Sequence, residues 1–559
     1  MSQIGDDAPT GPIRGQLRPP PPGRRRSAAG DVGAPTRRWS IAGDLIAAAL
    51  LVVALLFPWN LYFGVGIPGS NMPLLGVLFA VTLLSLLSIA LAGSWRSQSA
   101  RFNAALAGRL RRALNLPYAL LVLGFVAFDV FETVRFGGTV NVPGGVGPGA
   151  WLGIAGALLS ARPVTPAQDA GDHVRSVRII GYASMVGAAL SFAFNLFWRV
   201  RYALQSSGGS DFGKQNVAVI ATAVVYGVVA LVAVVVGSRW LLRSTRAARL
   251  ATVALGVSTL VAGSLVWILP VGRDIDAFHG IAQNTSTAGV GFEGYLAWAA
   301  AAAIVAPATL LARRDPSATE ENAWRAAARN GLLLIIIWCL GSMVMRITDL
   351  VVGVSLNYPF SRYDSMVLAA FDLVTALLAV WLRINLGNDA VSARLISSLC
   401  GLVATLSVSR VVVGVALAPR FEESPNAPAP NPVYGNNLAQ QITSTFDVVL
   451  CVLALCILAA AIITGHLSVR RLRRRRRPAA HKRGAPPGSA APTTRIPVGH
   501  AGPPSAAATT RIPTHGGEAP TTAMPQLARS PRIFRGDDSA TRQIPTQKPR
   551  IFRPPQDSR

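Results

Sequence analysis

Long uninterrupted apolar segments recur along most of the chain, and they limit its fold more than any other feature does. A helix needs about 20 consecutive, predominantly apolar residues to cross a bilayer. The chain is 51% hydrophobic, its mean hydropathy is +0.41, and its apolar runs reach that length repeatedly. We therefore predict an all-α fold, a polytopic transmembrane helical bundle of about twelve helices. The predicted spans are residues 41–62, 73–94, 115–136, 146–165, 178–198, 216–237, 250–270, 294–312, 331–354, 364–384, 394–418 and 442–465.

The loops between the predicted spans differ in their basic residues, and this difference sets the orientation of the bundle. Loops on the side of the two termini carry 18 arginines and lysines, whereas loops on the opposite side carry six. Cytoplasmic loops of membrane proteins are enriched in these residues, so we place both termini in the cytoplasm, an N-in/C-in topology.

Two polar segments flank the predicted membrane domain, which covers residues 39–465. Residues 1–38 are rich in Pro, Gly and Arg, and residues 466–559 begin with an arginine cluster and continue in Pro, Ala, Thr and Gly. Neither segment has the apolar periodicity of a folded domain, so we predict a disordered basic N-terminal arm and a disordered basic cytoplasmic tail. We expect their arginines to contact anionic lipid head groups at the bilayer surface.

The basic residues also bear on the source and location of the protein. The net charge is +27, and only three of the 53 basic residues are lysine. A preference for arginine, together with abundant Ala, Gly, Val and Pro, is what a GC-rich bacterial genome such as an actinobacterial one favours. We therefore expect a multi-pass protein of the bacterial plasma (cell) membrane.

Charged residues occur inside several predicted spans, where charges are rare because hydrocarbon solvates them poorly. Two hairpins near the C-terminal end of the membrane domain repeat one pattern. An arginine in one helix is followed by a VVGV[SA]L segment and then by an FD[LV]V segment in the next helix. We predict that these charges and two acids of the third span line an outward-facing polar basin. The seven candidate residues are Asp129, Glu132, Arg346, Asp349, Asp372, Arg410 and Asp447.

Two interpretations of these charges remain open. Intramembrane ionisable residues often mark a pathway for a substrate, an ion or a proton, and an excess of acids favours protons or cations. Alternatively, the charges form static pairs that fix the positions of helices. Arg346 and Asp349 lie three residues apart and could neutralise each other. Arg410 could pair with Asp447 or with Asp372 between helices.

Two further pairs of segments resemble each other. GVGPGAWLGIAGALLSARP at 145–163 is similar to GVGFEGYLAWAAAAAIVAP at 289–307, and FPWNLYF at 57–63 is similar to FAFNLFW at 192–198. Internal duplication frames the binding site of many transporters. Segments rich in Ala and Gly also match by chance, so the sequence alone leaves both explanations open.

The sequence lacks the motifs that would indicate an enzyme. It has no GxxxxGK[ST], HExxH or GxSxG motif in a suitable place. The four cysteines lie in apolar segments without CxxC spacing, and the six histidines form no cluster with metal-ligand spacing. We therefore predict a protein that is not an enzyme and that uses neither a metal nor another cofactor. We expect no nucleic acid partner, because contact with lipid explains the arginines more simply.

Short motifs repeat in the predicted tail. TTRIP occurs at 493–497 and 509–513, TRQIP at 541–545, and PRIFR at 531–535 and 549–553. In each threonine motif an isoleucine follows a threonine by three residues, which resembles ligands of forkhead-associated domains, readers of phosphothreonine. The motifs predict a cytoplasmic protein partner, and their alternative explanation is low-complexity repetition. The candidate motif residues are Thr493, Ile496, Thr509, Ile512, Thr541 and Ile544.

Two functions agree with these features. The first is that of a transporter or flippase-like protein, which would use the charged basin to bind a substrate or to carry protons. The second is that of a non-catalytic membrane scaffold or regulator, which would recruit cytoplasmic partners through its tail. Twelve helices exceed what a membrane anchor requires, so transport is our first expectation.

Overall fold

The computed structural model describes residues 33–59, 71–97, 104–136, 146–162, 170–205, 213–269, 292–311, 319–357, 362–388, 390–417 and 445–476. These residues form twelve α-helices and no β-strand, which confirms the all-α fold for the described part of the chain. The helices are α1 (Gly33–Ala54), α2 (Met72–Ser97), α3 (Ala104–Phe136), α4 (Pro148–Ser160), α5 (Ala170–Gln205), α6 (Lys214–Leu242), α7 (Arg246–Ile268), α8 (Phe292–Leu311), α9 (Thr319–Ser355), α10 (Arg362–Asn385), α11 (Ala393–Leu417) and α12 (Thr445–Arg476).

Nine of the described helices are long and apolar enough to cross a membrane. They are α2, α3, α5, α6, α7, α9, α10, α11 and α12. Two others, α4 and α8, contain shorter apolar segments, Pro148–Ser160 and Gly294–Pro307. These findings fit a multi-pass helical membrane protein, whereas the count of twelve spans and the N-in/C-in orientation stay predictions.

Large apolar side chains cover the outer faces of the spanning helices. Leu123 on α3, Leu190 on α5 and Val412 on α11 are 63%, 66% and 60% exposed. Water-soluble proteins rarely present so much contiguous apolar surface, because exposing it to water costs free energy. The same surface is favourable against lipid hydrocarbon. The burial pattern of the described residues therefore agrees with a bilayer around the bundle.

The helices α4 and α8 are the most completely enclosed elements of the described bundle. Twelve of the thirteen residues of α4 are buried, because α1, α3, α7 and α8 pack around it. At 1.5 Å per residue α4 is about 20 Å long, shorter than the hydrocarbon core of about 30 Å. A short helix is tolerated at membrane depth where protein rather than lipid surrounds it. The helix that we predicted over residues 146–165 is thus present in a shorter form.

The segment that follows α1 positions the beginning of α4 through backbone hydrogen bonds. The N–H groups of Gly147 and Gly149 donate to the carbonyl oxygens of Trp59 and Pro58, at 2.5 and 2.9 Å. A Cβ atom on Gly147 would lie 2.6 Å from the Pro58 oxygen, so this close approach requires glycine. The indole Nε1 of Trp59 donates to the carbonyl oxygen of Ala54 at 3.2 Å and satisfies an acceptor at the end of α1.

Some helix boundaries differ from those that we predicted. The first helix begins at Gly33, inside the predicted arm of residues 1–38, and α3 begins at Ala104 rather than at 115. The last helix continues to Arg476, inside the predicted tail of residues 466–559. Arginine is a good helix former, so the cluster after the last span extends the helix instead of ending it. Residues 1–32 and 477–559 lie outside the described residues, and their disorder stays a prediction.

Glycine allows α7 and α8 to pack closely, and this contact yields a test of the fold. A Cβ on Gly256 would overlap the side chain of Ala302 and lie 2.6 Å from the carbonyl oxygen of Trp298. We expect Gly256→Ala to lower the free energy of unfolding by about 1–3 kcal/mol through overpacking. Nothing lies within 4 Å of a Cβ on Gly124, so Gly124→Ala should leave stability unchanged or raise it by up to about 1 kcal/mol.

Thermal unfolding in detergent measures the stability of both purified variants. Equal melting temperatures for the two variants would contradict the packing of α7 against α8.

Candidate functional site

Three polar side chains form a stripe along one face of α9. Trp338, Ser342 and Arg346 follow one another at four-residue intervals, which places them on the same side of a helix. All three are buried, although apolar residues surround them in the sequence. The stripe supplies donors to two carboxylates on neighbouring helices, Asp372 of α10 and Asp447 of α12.

The guanidinium of Arg410 on α11 is the centre of an ion-pair network, which we define as Arg346, Asp372, Arg410 and Asp447. Its Nε pairs with Asp372 Oδ1, and its Nη1 pairs with Asp447 Oδ1. Its Nη2 donates to Ser342 Oγ at 2.8 Å. A planar guanidinium presents donors in several fixed directions, so one arginine can connect three helices.

The two aspartates of the network accept further hydrogen bonds. Asp372 is fully buried and accepts from Arg346 Nε at 3.0 Å and from Ser342 Oγ at 2.8 Å. Asp447 lies in the first turn of α12 and accepts from Trp338 Nε1 at 2.6 Å. The partial positive charge at a helix N-terminus favours a carboxylate there. Two arginines and two aspartates balance the formal charge of the network.

The ion-pair network connects the two hairpins whose sequences repeat. The pair of Arg346 and Asp372 joins α9 to α10, and the pair of Arg410 and Asp447 joins α11 to α12. The pair of Arg410 and Asp372 then joins one hairpin to the other. Both partners that the sequence offered to Arg410 are therefore in contact with it. All four side chains are buried, and an outward opening of this region stays a prediction.

Asp349, one helical turn beyond Arg346, has a separate partner. Its Oδ2 accepts a hydrogen bond of 2.5 Å from the phenol of Tyr226 on α6. Both side chains are buried, and the bond connects α6 to α9 beside the network. The direct contacts are thus from Arg346 to Asp372 and from Tyr226 to Asp349, and neutralisation of Asp349 by Arg346 on the same helix stays a prediction.

The two acids of the third predicted span lie in another part of the bundle. Asp129 and Glu132 are carried by α3, which packs against α2 and α4. Asp129 is buried, and Glu132 lies 3.8 Å from Arg135 on the same helix. The seven candidate residues therefore divide into five on α9 to α12 and two on α3.

A series of buried aromatic rings, the aromatic ladder, connects the repeated segments to the network. Trp151 of α4 and Tyr295 of α8 occupy equivalent positions in the two similar segments, and their ring centroids lie 4.9 Å apart. Tyr295 contacts Phe446 of α12 at 6.4 Å, and Phe446 contacts Trp338 at 4.7 Å. Trp338 in turn donates to Asp447. Aromatic pairs of this kind favour fixed relative orientations, so the ladder holds one side of the network in place.

A second polar cluster joins α1 to α4, and our sequence reasoning missed most of it. Arg111 on α3 forms an ion pair of 2.8 Å with Asp44 on α1, and both are buried. Asn115 donates to Ser88 at 2.9 Å and accepts from Ser160. We had placed Arg111 in a basic loop at 95–114. The four-residue interval between Arg111 and Asn115, which continues the periodicity of the third span, is the feature that could have indicated a longer helix.

The tail motifs lie outside the described residues, so their predicted partner stays a prediction. The residues concerned are Thr493, Ile496, Thr509, Ile512, Thr541 and Ile544. Within the described part of the chain, no group of three or more His, Cys, Asp or Glu side chains could hold a metal ion. The four cysteines are free thiols. The chemistry of the described site is therefore that of ion pairs, hydrogen bonds and aromatic contacts.

Nine described helices that are long and apolar enough to cross a membrane, with a buried ion-pair network between four of them, fit the class of multi-pass helical membrane proteins. Residues 40–466 match the family of a domain of unknown function, DUF7937, and the chain belongs to this family. No curated protein and no solved structure was found to match the chain. The matched region contains the network, the aromatic ladder and the second polar cluster, so all three lie within the family domain.

Proposed function

We propose that the protein is a transporter or flippase-like protein of a bacterial plasma membrane, and that it is not an enzyme. In this proposal twelve spans form an N-in/C-in bundle, and the ion-pair network closes the inner end of an outward-facing basin. The observation that carries the proposal is the burial of two arginines and two aspartates between four helices. Ionisable groups at such a depth commonly mark the pathway of a substrate or a coupling ion.

The arrangement of the network supports a gate rather than a passive lock. Breaking one ion pair leaves two buried charges without partners. Each such charge costs several kcal/mol of uncompensated desolvation unless another group replaces the partner. A polar substrate that supplies such a group lowers the cost of separating the hairpins, whereas an empty protein stays closed. Because Arg410 bridges both hairpins, its release from Asp372 would free one hairpin to move relative to the other.

Reconstitution of the full chain into proteoliposomes tests transport even though the substrate is unidentified. The vesicles are incubated with a metabolite extract across a pH gradient, and their contents are analysed by mass spectrometry. We expect at least one compound to accumulate, and accumulation to fall by about 10- to 100-fold in Arg346→Lys, because losing one charged hydrogen bond costs about 1.5–3 kcal/mol. Lysine keeps the charge but lacks the Nε donor that binds Asp372.

The exposed Arg239, in the last turn of α6, provides a matched control, since Arg239→Lys should transport as the natural protein does. Contents identical to those of protein-free vesicles would contradict the proposal. Accumulation that is equal in the natural protein and in Arg346→Lys would remove the network from the pathway.

A second candidate function rests on the repeated pentapeptides TTRIP and PRIFR of the tail. A scaffold or regulator would bind a cytoplasmic phosphothreonine reader through these motifs, and repetition would raise the effective concentration of binding sites. Co-purification from cells that produce the full chain or a chain without residues 485–559 distinguishes this function. Partners lost on truncation support a scaffold, and an unchanged set of partners contradicts it.

A further inference from the structure

Asp349 differs from the other buried acids of α9 to α12 in the number of its contacts. Its Oδ2 accepts from Tyr226, but its Oδ1 is buried without a hydrogen-bond partner among the described residues. One turn away, Nη1 of Arg346 is also buried without a hydrogen-bond partner in that part of the structure. A buried carboxylate normally satisfies both of its oxygens, since an unsatisfied charged atom loses its hydration and gains nothing.

An ionised Asp349 would have no positive charge left to balance it among the described buried groups around it. Tyr226 faces it from α6 and is neutral, and Arg346 faces it from its own helix. Beyond Arg346 the buried charged side chains described on α10, α11 and α12 are Asp372, Arg410 and Asp447, which with Arg346 make a balanced set of two positive and two negative charges. An ionised Asp349 would therefore add one uncompensated negative charge to a buried region. Such a charge costs several kcal/mol unless it is paired or neutralised.

A proton fits this position better than a metal cation does. Hard metal cations take about six or more oxygen ligands, whereas this position offers the carboxylate of Asp349 and the phenol oxygen of Tyr226. A proton needs a single oxygen, and Oδ1 of Asp349 is available for it.

We propose that Asp349 is the proton-carrying residue of this protein, which binds one proton from solution on Oδ1 and returns it to solution later in the cycle. Binding forms the O–H bond of a neutral carboxylic acid, and release restores the carboxylate. The carboxylate then competes with Asp372 for Arg346, whose Nη1 is the nearest unused donor. Proton release on α9 would thereby weaken the pair that holds α9 to α10. This inference rests on the proposed transport function, for which it names the coupling ion.

Infrared spectroscopy of the full chain in lipid tests the protonation of Asp349 without any substrate. We expect the natural protein at neutral pH to show the carbonyl stretching band of a buried protonated carboxylic acid, and we expect this band to disappear reversibly as the pH is raised. Asp349→Asn should lack the band. Asp364→Asn, a matched change of a half-buried acid in the first turn of α10, should keep it.

Tyr226→Phe supplies a second measurement that does not require removal of the acid. The phenol donates to Oδ2, so its loss should move the band of Asp349 to higher frequency without abolishing it. A band that persists in Asp349→Asn, or that is absent from the natural protein throughout the neutral range, would overturn the proposal. A band that responds to sodium and not to pH would also overturn it, in favour of a metal cation.

The infrared result is independent of transport. A pH-dependent band of Asp349 together with vesicles that accumulate nothing would contradict the transport function and support the proton site. Transport that proceeds at the same rate with and without a pH gradient, in a protein that lacks the band, would do the reverse.

Discussion

Asp372→Asn is expected to lower the free energy of unfolding by about 3–5 kcal/mol, because it removes one partner from two buried ion pairs. Asn has nearly the size of Asp but no charge, so the substitution leaves Arg346 and Arg410 buried with one carboxylate between them. The desolvation cost of the second guanidinium then has no compensation within the ion-pair network. Loss of the monodisperse gel-filtration peak after heating in detergent measures the effect.

Asp364→Asn is the matched control for this experiment. It makes the same chemical change two turns earlier on α10, where the side chain is only half-buried. The Asp364 carboxylate stabilises the helix by about 0.3–1 kcal/mol through its interaction with the helix dipole. We therefore expect a small decrease in stability. If both variants melt at the same temperature, the buried contacts of Asp372 do not stabilise the fold, and the network as described is incorrect.

Replacing the entire network by apolar residues should separate its structural role from its functional role. The variant carries Arg346→Met, Asp372→Leu, Arg410→Met and Asp447→Leu. Buried ion pairs are often no more stable than apolar side chains of similar volume, and their replacement can stabilise a protein by about 1–4 kcal/mol. We expect this variant to melt at or above the temperature of the natural protein, and to have lost accumulation in the proteoliposome assay.

Stability and transport must be measured on the same preparation of this variant. A stable, monodisperse variant without transport supports a pathway through the network, since the fold alone would then be insufficient. A stable variant that still transports at the natural rate would establish that the charges fix the helices and do nothing more. A variant less stable than Asp372→Asn would contradict the comparison with apolar replacements, because it leaves no charge of the network unpaired.

The approximate positions of many helices and the equivalence of the two hairpins could be predicted from sequence, because both depend on short-range patterns. Apolar runs locate the helices, and the repeated arginine and FD[LV]V segments indicate equivalent positions in the two hairpins. The stripe of Trp338, Ser342 and Arg346 also follows from a four-residue interval. Sequence alone does not single out Trp338 and Ser342, because the carboxylates that accept their hydrogen bonds lie on other helices. The correct predictions therefore depended mostly on local periodicity in the sequence.

Contacts between distant helices could not be predicted in the same way. We assigned a common depth to all seven candidate charges, but depth along the membrane normal does not determine which helices are neighbours. Asp129 and Glu132 lie on α3, which among the described helices packs mainly against α2 and α4 rather than against the helices of the network. The partner of Asp349 lies 123 residues earlier in the chain, on α6, and a single tyrosine in an apolar run gives no indication of its acceptor. An ion pair from Asp44 to Arg111 was missed for a related reason, since we took the beginning of α3 for a loop.

The enclosure of α4 has a consequence for the way the protein is made. Its thirteen residues form a helix shorter than the hydrocarbon core, and its faces are buried by α1 and α3, which are synthesised earlier, and by α7 and α8, which are synthesised later. About 130 residues separate the end of α4 from the beginning of α8. At about 5–20 residues per second, the ribosome needs roughly ten seconds to deliver that partner. The burial of α4 is therefore completed only when α7 and α8 have been synthesised, long after the helix itself.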